Sequence, residues 1–206
     1  RAVLLQTAGQ RLIAQALPIV LADMKSSDAA IRLAAIEAAG NLVPLEQLNV
    51  LIARLLQPEN EAEAAAVKSA LLNACSRMPN LDAAAAQLMS AWNQATPTAR
   101  LTIVEVLGTM GGSGALAALG QIAKTGSDAE QDAATRVLGE WMSPDAAPVL
   151  LDLAKSGNPR YRIRALRGFI RIARQLNVPL AERIQMCAQA LEVADRPEEK
   201  RLVLEV

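Results

Sequence analysis

Apolar residues recur three and four places apart along almost the whole chain, in stretches of a few turns divided by short polar breaks. That spacing lines one face of a helix, and no run alternates as a half-buried strand would. The pattern predicts helices over about 13–25, 28–41, 45–57, 61–77, 81–95, 97–109, 114–124, 128–142, 145–155, 159–175 and 180–194. The stretch from Arg1 reads as a helix already under way, and the stretch from Pro197 as a helix without its partner. Asp28 stands where an N-cap belongs, and Pro18 and Pro148 fall in first turns, where a missing N–H costs little.

A second regularity runs through the first. Gly9 follows Arg1 at the distance at which Gly40 follows Arg32 and Gly108 follows Arg100. Gln131 takes the arginine's place before Gly139, and Lys68, Arg162 and Lys200 mark it where the glycine is missing. The marks lie 31 residues apart from Arg1 to Arg32, then 36 to Lys68, 32 to Arg100, 31 to Gln131, 31 to Arg162 and 38 to Lys200. Repeats of this length are helix pairs that stack, because one pair cannot bury its apolar face alone. The expected architecture is therefore all-α, one array over 1–206 with six helical hairpins and a partial seventh, cut at both ends from a longer polypeptide. The wide gap before Lys68 places an insertion in the second half of the second hairpin.

Two segments carry a family resemblance: Asp28-x-x-x-Arg32-x-x-Ala35-x-x-x-x-Gly40 and Asn158-Pro159-Arg160-Tyr161-Arg162-x-x-Ala165-Leu166. Together with their counterparts in register, they resemble the HEAT-repeat family, especially its short bacterial form. The third hairpin departs most, with Lys68 for the arginine and Ser76 for the glycine. The resemblance implies a right-handed α-α superhelix with first helices on the convex side. Second helices would then form the concave side, the default binding face.

Composition narrows the chemistry. The chain is 52% hydrophobic but only 2% aromatic, and alanine supplies about a fifth of it, so helices can approach closely. Lys and Arg number 21 against 21 Asp and Glu, with a pI of about 6.6, so no whole-chain charge draws nucleic acid or an anionic membrane. Histidine is missing, and with it the commonest general base and metal ligand. Cys75 and Cys187 have no metal-motif spacing, and Cys75 falls at a position that Leu107 and Leu138 occupy elsewhere, which predicts a buried thiol. No cofactor and no metal is expected. Gly108 to Gly114 is glycine-rich but lacks the Gly-Lys-Ser/Thr ending of a phosphate loop, so it reads as a hairpin connection.

The sharpest local feature is a row of arginines. At 100° per residue Arg160, Arg164, Arg167, Arg171 and Arg174 share one face, a stripe about 21 Å long at roughly 1.5 Å per residue. Guanidinium groups in a row suit carboxylate, phosphate or sulfated partners, and these five are the candidate binding residues. A solvated face paired with Glu182, Glu198 and Glu199 is the competing reading. Arg162 turns the other way, into the apolar arc, and belongs with Arg32 and Arg100. These three are expected to link neighbouring hairpins through carbonyls or carboxylates. Trp92 and Trp141 read as plugs between hairpins.

The function expected from these features is a non-catalytic scaffold that binds another protein or another domain of its own chain. One alternative is a spacer array, since Tyr161 to Glu205 resembles arrays in exported proteins of environmental bacteria. Some of those carry a glycoside-hydrolase-like β domain elsewhere in the chain. A third reading, a HEAT-like DNA glycosylase, needs a basic concave groove and aromatics that this composition does not supply.

Overall fold

Five of the first helices begin at a residue whose side chain turns back onto the opening turn. Asp28 accepts from the N–H groups of Ala30 and Ile31, Asn60 from Glu63, Thr96 from Ala99, and Asn158 from Arg160. Ser127 and Glu130 close a reciprocal capping box. Each cap satisfies backbone donors that the helix itself leaves open.

A computed structural model describes all residues, 1–206. It contains helices α1 (Ala2–Gln10), α2 (Leu17–Asp23), α3 (Ala29–Leu42), α4 (Leu48–Leu56), α5 (Glu61–Ser76), α6 (Leu81–Ser90) and α7 (Pro97–Met110). These are followed by α8 (Ser113–Thr125), α9 (Asp128–Gly139), α10 (Ala147–Ser156), α11 (Pro159–Gln175), α12 (Leu180–Val193) and α13 (Pro197–Leu204). There is no strand. The helices match the expected segments, except that three second helices open with a separate 3-10 turn: Ala14–Ala16, Leu45–Gln47 and Pro144–Ala146. The segment expected over 81–95 also breaks, with a 3-10 turn over Trp92–Gln94. Apolar spacing continues through such turns, so periodicity alone does not reveal them. No helix is long and apolar enough to cross a membrane.

The caps correct the repeat register. Arg32, Arg100, Gln131, Arg162 and Lys200 each lie four residues after the residue preceding their helix, namely Asp28, Thr96, Ser127, Asn158 and Arg196. In the third hairpin that position after Asn60 is Ala64, one turn before Lys68. The extra residues therefore belong to the third hairpin, whose α5 is long, and not to the second. Lys68 instead forms an exposed ion pair with Glu105 at 2.6 Å.

The chain forms two compact units, Arg1–Gly114 and Ala115–Val206. In the first, α1 packs on α3, α3 on α5 and α5 on α7, with α2, α4 and α6 each against the following first helix. In the second, α9 packs on α11 and α11 on α13, while α10 and α12 pack against α11. Small residues set the first-helix contacts. A Cβ added to Gly9 would lie 2.8 Å from the Cα of Ala38, one on Gly40 2.6 Å from the Cα of Ala70, and one on Gly168 2.9 Å from the Cα of Gly139. Ala38, Ala70 and Gly168 all stand ten residues after their caps, so one small-on-small contact recurs in both units. Larger side chains fill the space beneath: Ile36, Leu51 and Leu71 in the first unit, and Leu138, Leu150 and Phe169 in the second.

Cys75 is fully buried in this packing, and desolvation pushes its thiol up to about 12, with Arg77 pulling weakly the other way. Native protein at pH 8 should therefore show one thiol reactive to Ellman's reagent, the partly exposed Cys187, and two after denaturation. Two reactive thiols in the native state would contradict the packing around α5.

Candidate functional site

The arginine four residues into a first helix ties that helix to the one before it. Arg32 donates to the carbonyl of Ser26 at 2.7 Å, Arg100 to that of Trp92 at 3.0 Å, and Arg162 to that of Ala154 at 2.7 Å. Gln131 makes the same bond to Gly126 at 2.8 Å. Each acceptor lies at or near the end of a second helix, where carbonyls lack intrahelical partners. Arg100 also lies over the Trp92 ring, 5.4 Å from its centroid. Arg162 reaches onward to the carbonyl of Val193 at 3.2 Å and to Asp195 at 3.3 Å.

The partners of this set include acids that the repeat spacing does not single out. Glu63 has a side chain 0% exposed and takes Arg32 Nε at 3.0 Å and Arg54 at 3.1 Å. Glu130 and Glu199 are buried at the matching position, three residues after Ser127 and Arg196 as Glu63 is after Asn60. Only at Ser127 and Glu130 is that position a capping-box signal in the sequence. What the sequence does not reveal is that the Glu63 and Glu199 carboxylates turn inward, where Arg32 and Arg54 neutralise the first and Arg167 the second.

The arginine stripe lies along α11, as the helical spacing requires, and each member is engaged with a flanking hairpin. Arg160 pairs with Asp128 and stacks over Tyr161, whose hydroxyl donates to Asp128 at 2.8 Å. Arg164 pairs with Asp132 at 2.8 Å and donates to Thr135 at 3.0 Å. Arg167 makes two bonds to one oxygen of Glu199, at 3.0 and 2.8 Å. Arg171 donates to the carbonyls of Gly139 at 2.9 Å and Trp141 at 2.5 Å, and Arg174 lies 3.8 Å from Glu205. Of the acids expected nearby, only Glu199 takes part; Asp128, Asp132 and Glu205 do the rest. Hydrogen bonding by Arg164 holds the Asp132 carboxyl below the usual carboxylate range. A recess of about 260 Å³ remains between Arg136, Arg164, Arg167 and Arg171, floored by Gly139 and Gly168. Reversing Arg164 and Arg167 to glutamate would set new carboxylates against Asp132 and the buried Glu199. Those changes thus probe the hairpin contacts as well as binding.

The glycine-rich connection is shorter than its composition suggests. Only Gly111 and Gly112 lie between α7 and α8, with φ of 72° and 91°, values that favour glycine. The start of α8 is occupied internally: Asp82 accepts from Gly114 N–H at 2.7 Å and from the Ser113 hydroxyl at 3.0 Å.

A second surface lies between α10 and α12. These helices touch along part of their length and leave a groove of about 380 Å³ beside that contact. Phe169 forms its floor, with Pro148, Leu151 and Met186 on its walls. Asp145, Glu182, Gln185 and Gln189 supply the polar rim. Asp145 accepts from the Ser143 hydroxyl at 2.7 Å, and neither carboxylate pairs with a cation. The opposite flank of α12 exposes Leu180, Ile184 and Leu191. A groove between two helices distant in sequence has no local signature.

No protein-family model matches the chain, and no curated protein does. Among solved structures, it is similar to an archaeal HEAT-like repeats protein from Thermococcus onnurineus. That likeness has a TM-score of 0.50 at 16% identity and covers 100% of this chain and 95% of the other. The fold is thus the all-α fold of HEAT-like repeats, as the repeat register implied.

Proposed function

We propose that this chain is a non-catalytic, protein-binding scaffold whose contact surface is the groove between α10 and α12. The groove carries the reading, because it joins an apolar floor to a polar rim whose two carboxylates pair with no cation, the composition of a recognition surface. The arginine stripe is the weaker candidate, since its guanidinium groups already have acids and carbonyls as partners. A photocrosslinking residue at position 185 should yield a discrete adduct in native lysate, competed by unlabelled protein, while one at position 174 on the stripe should not. Adducts from 174 and none from 185 would move the site to the arginines. None from either position would favour the spacer reading.

A further inference from the structure

Granted that this groove is the contact surface, the reading on which the inference rests, its chemistry selects among partners. Its lining holds two carboxylates and no lysine or arginine, in a chain whose charges otherwise balance. Asp145 precedes α10 and Glu182 lies in the first turn of α12, so both sit at the same end of the groove. Farther along α12, Gln185 and Gln189 are one turn apart and offer amide donors and acceptors. Below them runs the apolar floor of Phe169, between walls of Leu151 and Met186.

We propose that the groove takes an extended peptide segment through a lysine or arginine side chain. The aliphatic stem lies over Phe169 and between Pro148 and Met186, and the cation stops between Asp145 and Glu182. A long cationic side chain is the one type that satisfies both halves of the site, since its stem prefers apolar surface and its head needs charge or water. An acidic residue would face two like charges, and an aliphatic residue would leave both carboxylates uncompensated. Gln185 and Gln189 then hold the segment's peptide groups, so an extended backbone fits better than a helix, whose peptide groups bond to one another.

The test uses the whole chain with its methionine methyl groups labelled with carbon-13, so that Met186 reports from the groove. The probes are acetylated nonapeptide pools with a central lysine, arginine, norleucine or glutamate. The lysine and arginine pools should shift the Met186 signal, with the norleucine pool about tenfold weaker and the glutamate pool inactive at about 1 mM. The double change Asp145→Asn with Glu182→Gln, both on the rim, should erase the difference between lysine and norleucine while the helical circular dichroism stays. A glutamate pool that binds as well as lysine, or a lysine preference that survives the double change, overturns the proposal. If crosslinks form from position 185 yet no cation preference appears, this inference falls alone; if both fail, the groove falls as a contact surface.

Discussion

Replacing Glu63 by alanine is expected to cost about 3–5 kcal/mol of folding stability, the usual penalty for breaking a buried ion pair by removing one partner. Its side chain is 0% exposed and receives Arg32, itself 6% exposed, at 3.0 Å. It also receives Arg54 at 3.1 Å. Both arginines keep backbone carbonyl acceptors, Ser26 for Arg32 and Met24 for Arg54, and Glu59 at the rim keeps its contacts with both. That leaves one half-exposed carboxylate, Glu59, for two guanidinium groups, of which Arg32 is almost fully buried. The change also acts on three consecutive helices at once, because Arg32 lies in the first turn of α3, Arg54 in the last turn of α4 and Glu63 in the first turn of α5. Urea unfolding followed by circular dichroism measures it. Replacing Arg32 by methionine should also destabilise, but should leave peptide binding in the α10–α12 groove unchanged. A loss below 1 kcal/mol for Glu63→Ala would mean that water reaches these arginines. For comparison, a surface ion pair is worth about 0–1 kcal/mol.

Gly40→Ala is the second large effect, and here two contributions oppose each other. Alanine is favoured over glycine in a helix interior by about 0.8–1 kcal/mol. Against that, the new methyl would sit 2.6 Å from the Cα of Ala70 and 2.9 Å from its carbonyl oxygen. Carbon atoms prefer about 3.5–4.0 Å, and the obstacle is backbone that cannot rotate away. Overpacking of this kind costs about 1–3 kcal/mol, occasionally more, so the clash wins and the protein is destabilised. Gly139→Ala supplies the contrast. Its methyl would meet nothing closer than Arg164 Cγ at 3.7 Å, so the helix preference acts alone and the change should be neutral or stabilising by up to about 1 kcal/mol. Equal effects at the two positions would refute the close α3–α5 approach.

The fold was legible because it rests on short-range signals. Asp28, Asn60, Thr96, Ser127 and Asn158 announce helix starts by their own chemistry, and an arginine four residues later repeats after Asp28, Thr96 and Asn158, with Gln131 in its place after Ser127. The register failed only where that arginine is replaced by Ala64, and Lys68, one turn on, drew the alignment to itself. The stripe on α11 was visible as a stripe, but its partners were not. Arg160, Arg164 and Arg171 reach back to α9 or the residues just after it, while Arg167 and Arg174 reach forward to the last stretch of the chain. The groove was invisible for the same reason. It lies where α10 and α12 meet only along part of their length, and a gap between segments about thirty residues apart leaves no mark in either.

The contact of Gly139 with Gly168 has a mechanical side. Two backbones that touch without intervening side chains cannot be pressed closer, so any flexing of the α9–α10 hairpin against the α11–α12 hairpin pivots there. The more compliant edge is the one where α10 and α12 meet only in part and leave the groove between them. A guest lodged in that groove would act as a wedge and set the tilt between the two hairpins. By the same lever, tension along the polypeptide alters how firmly the guest is held.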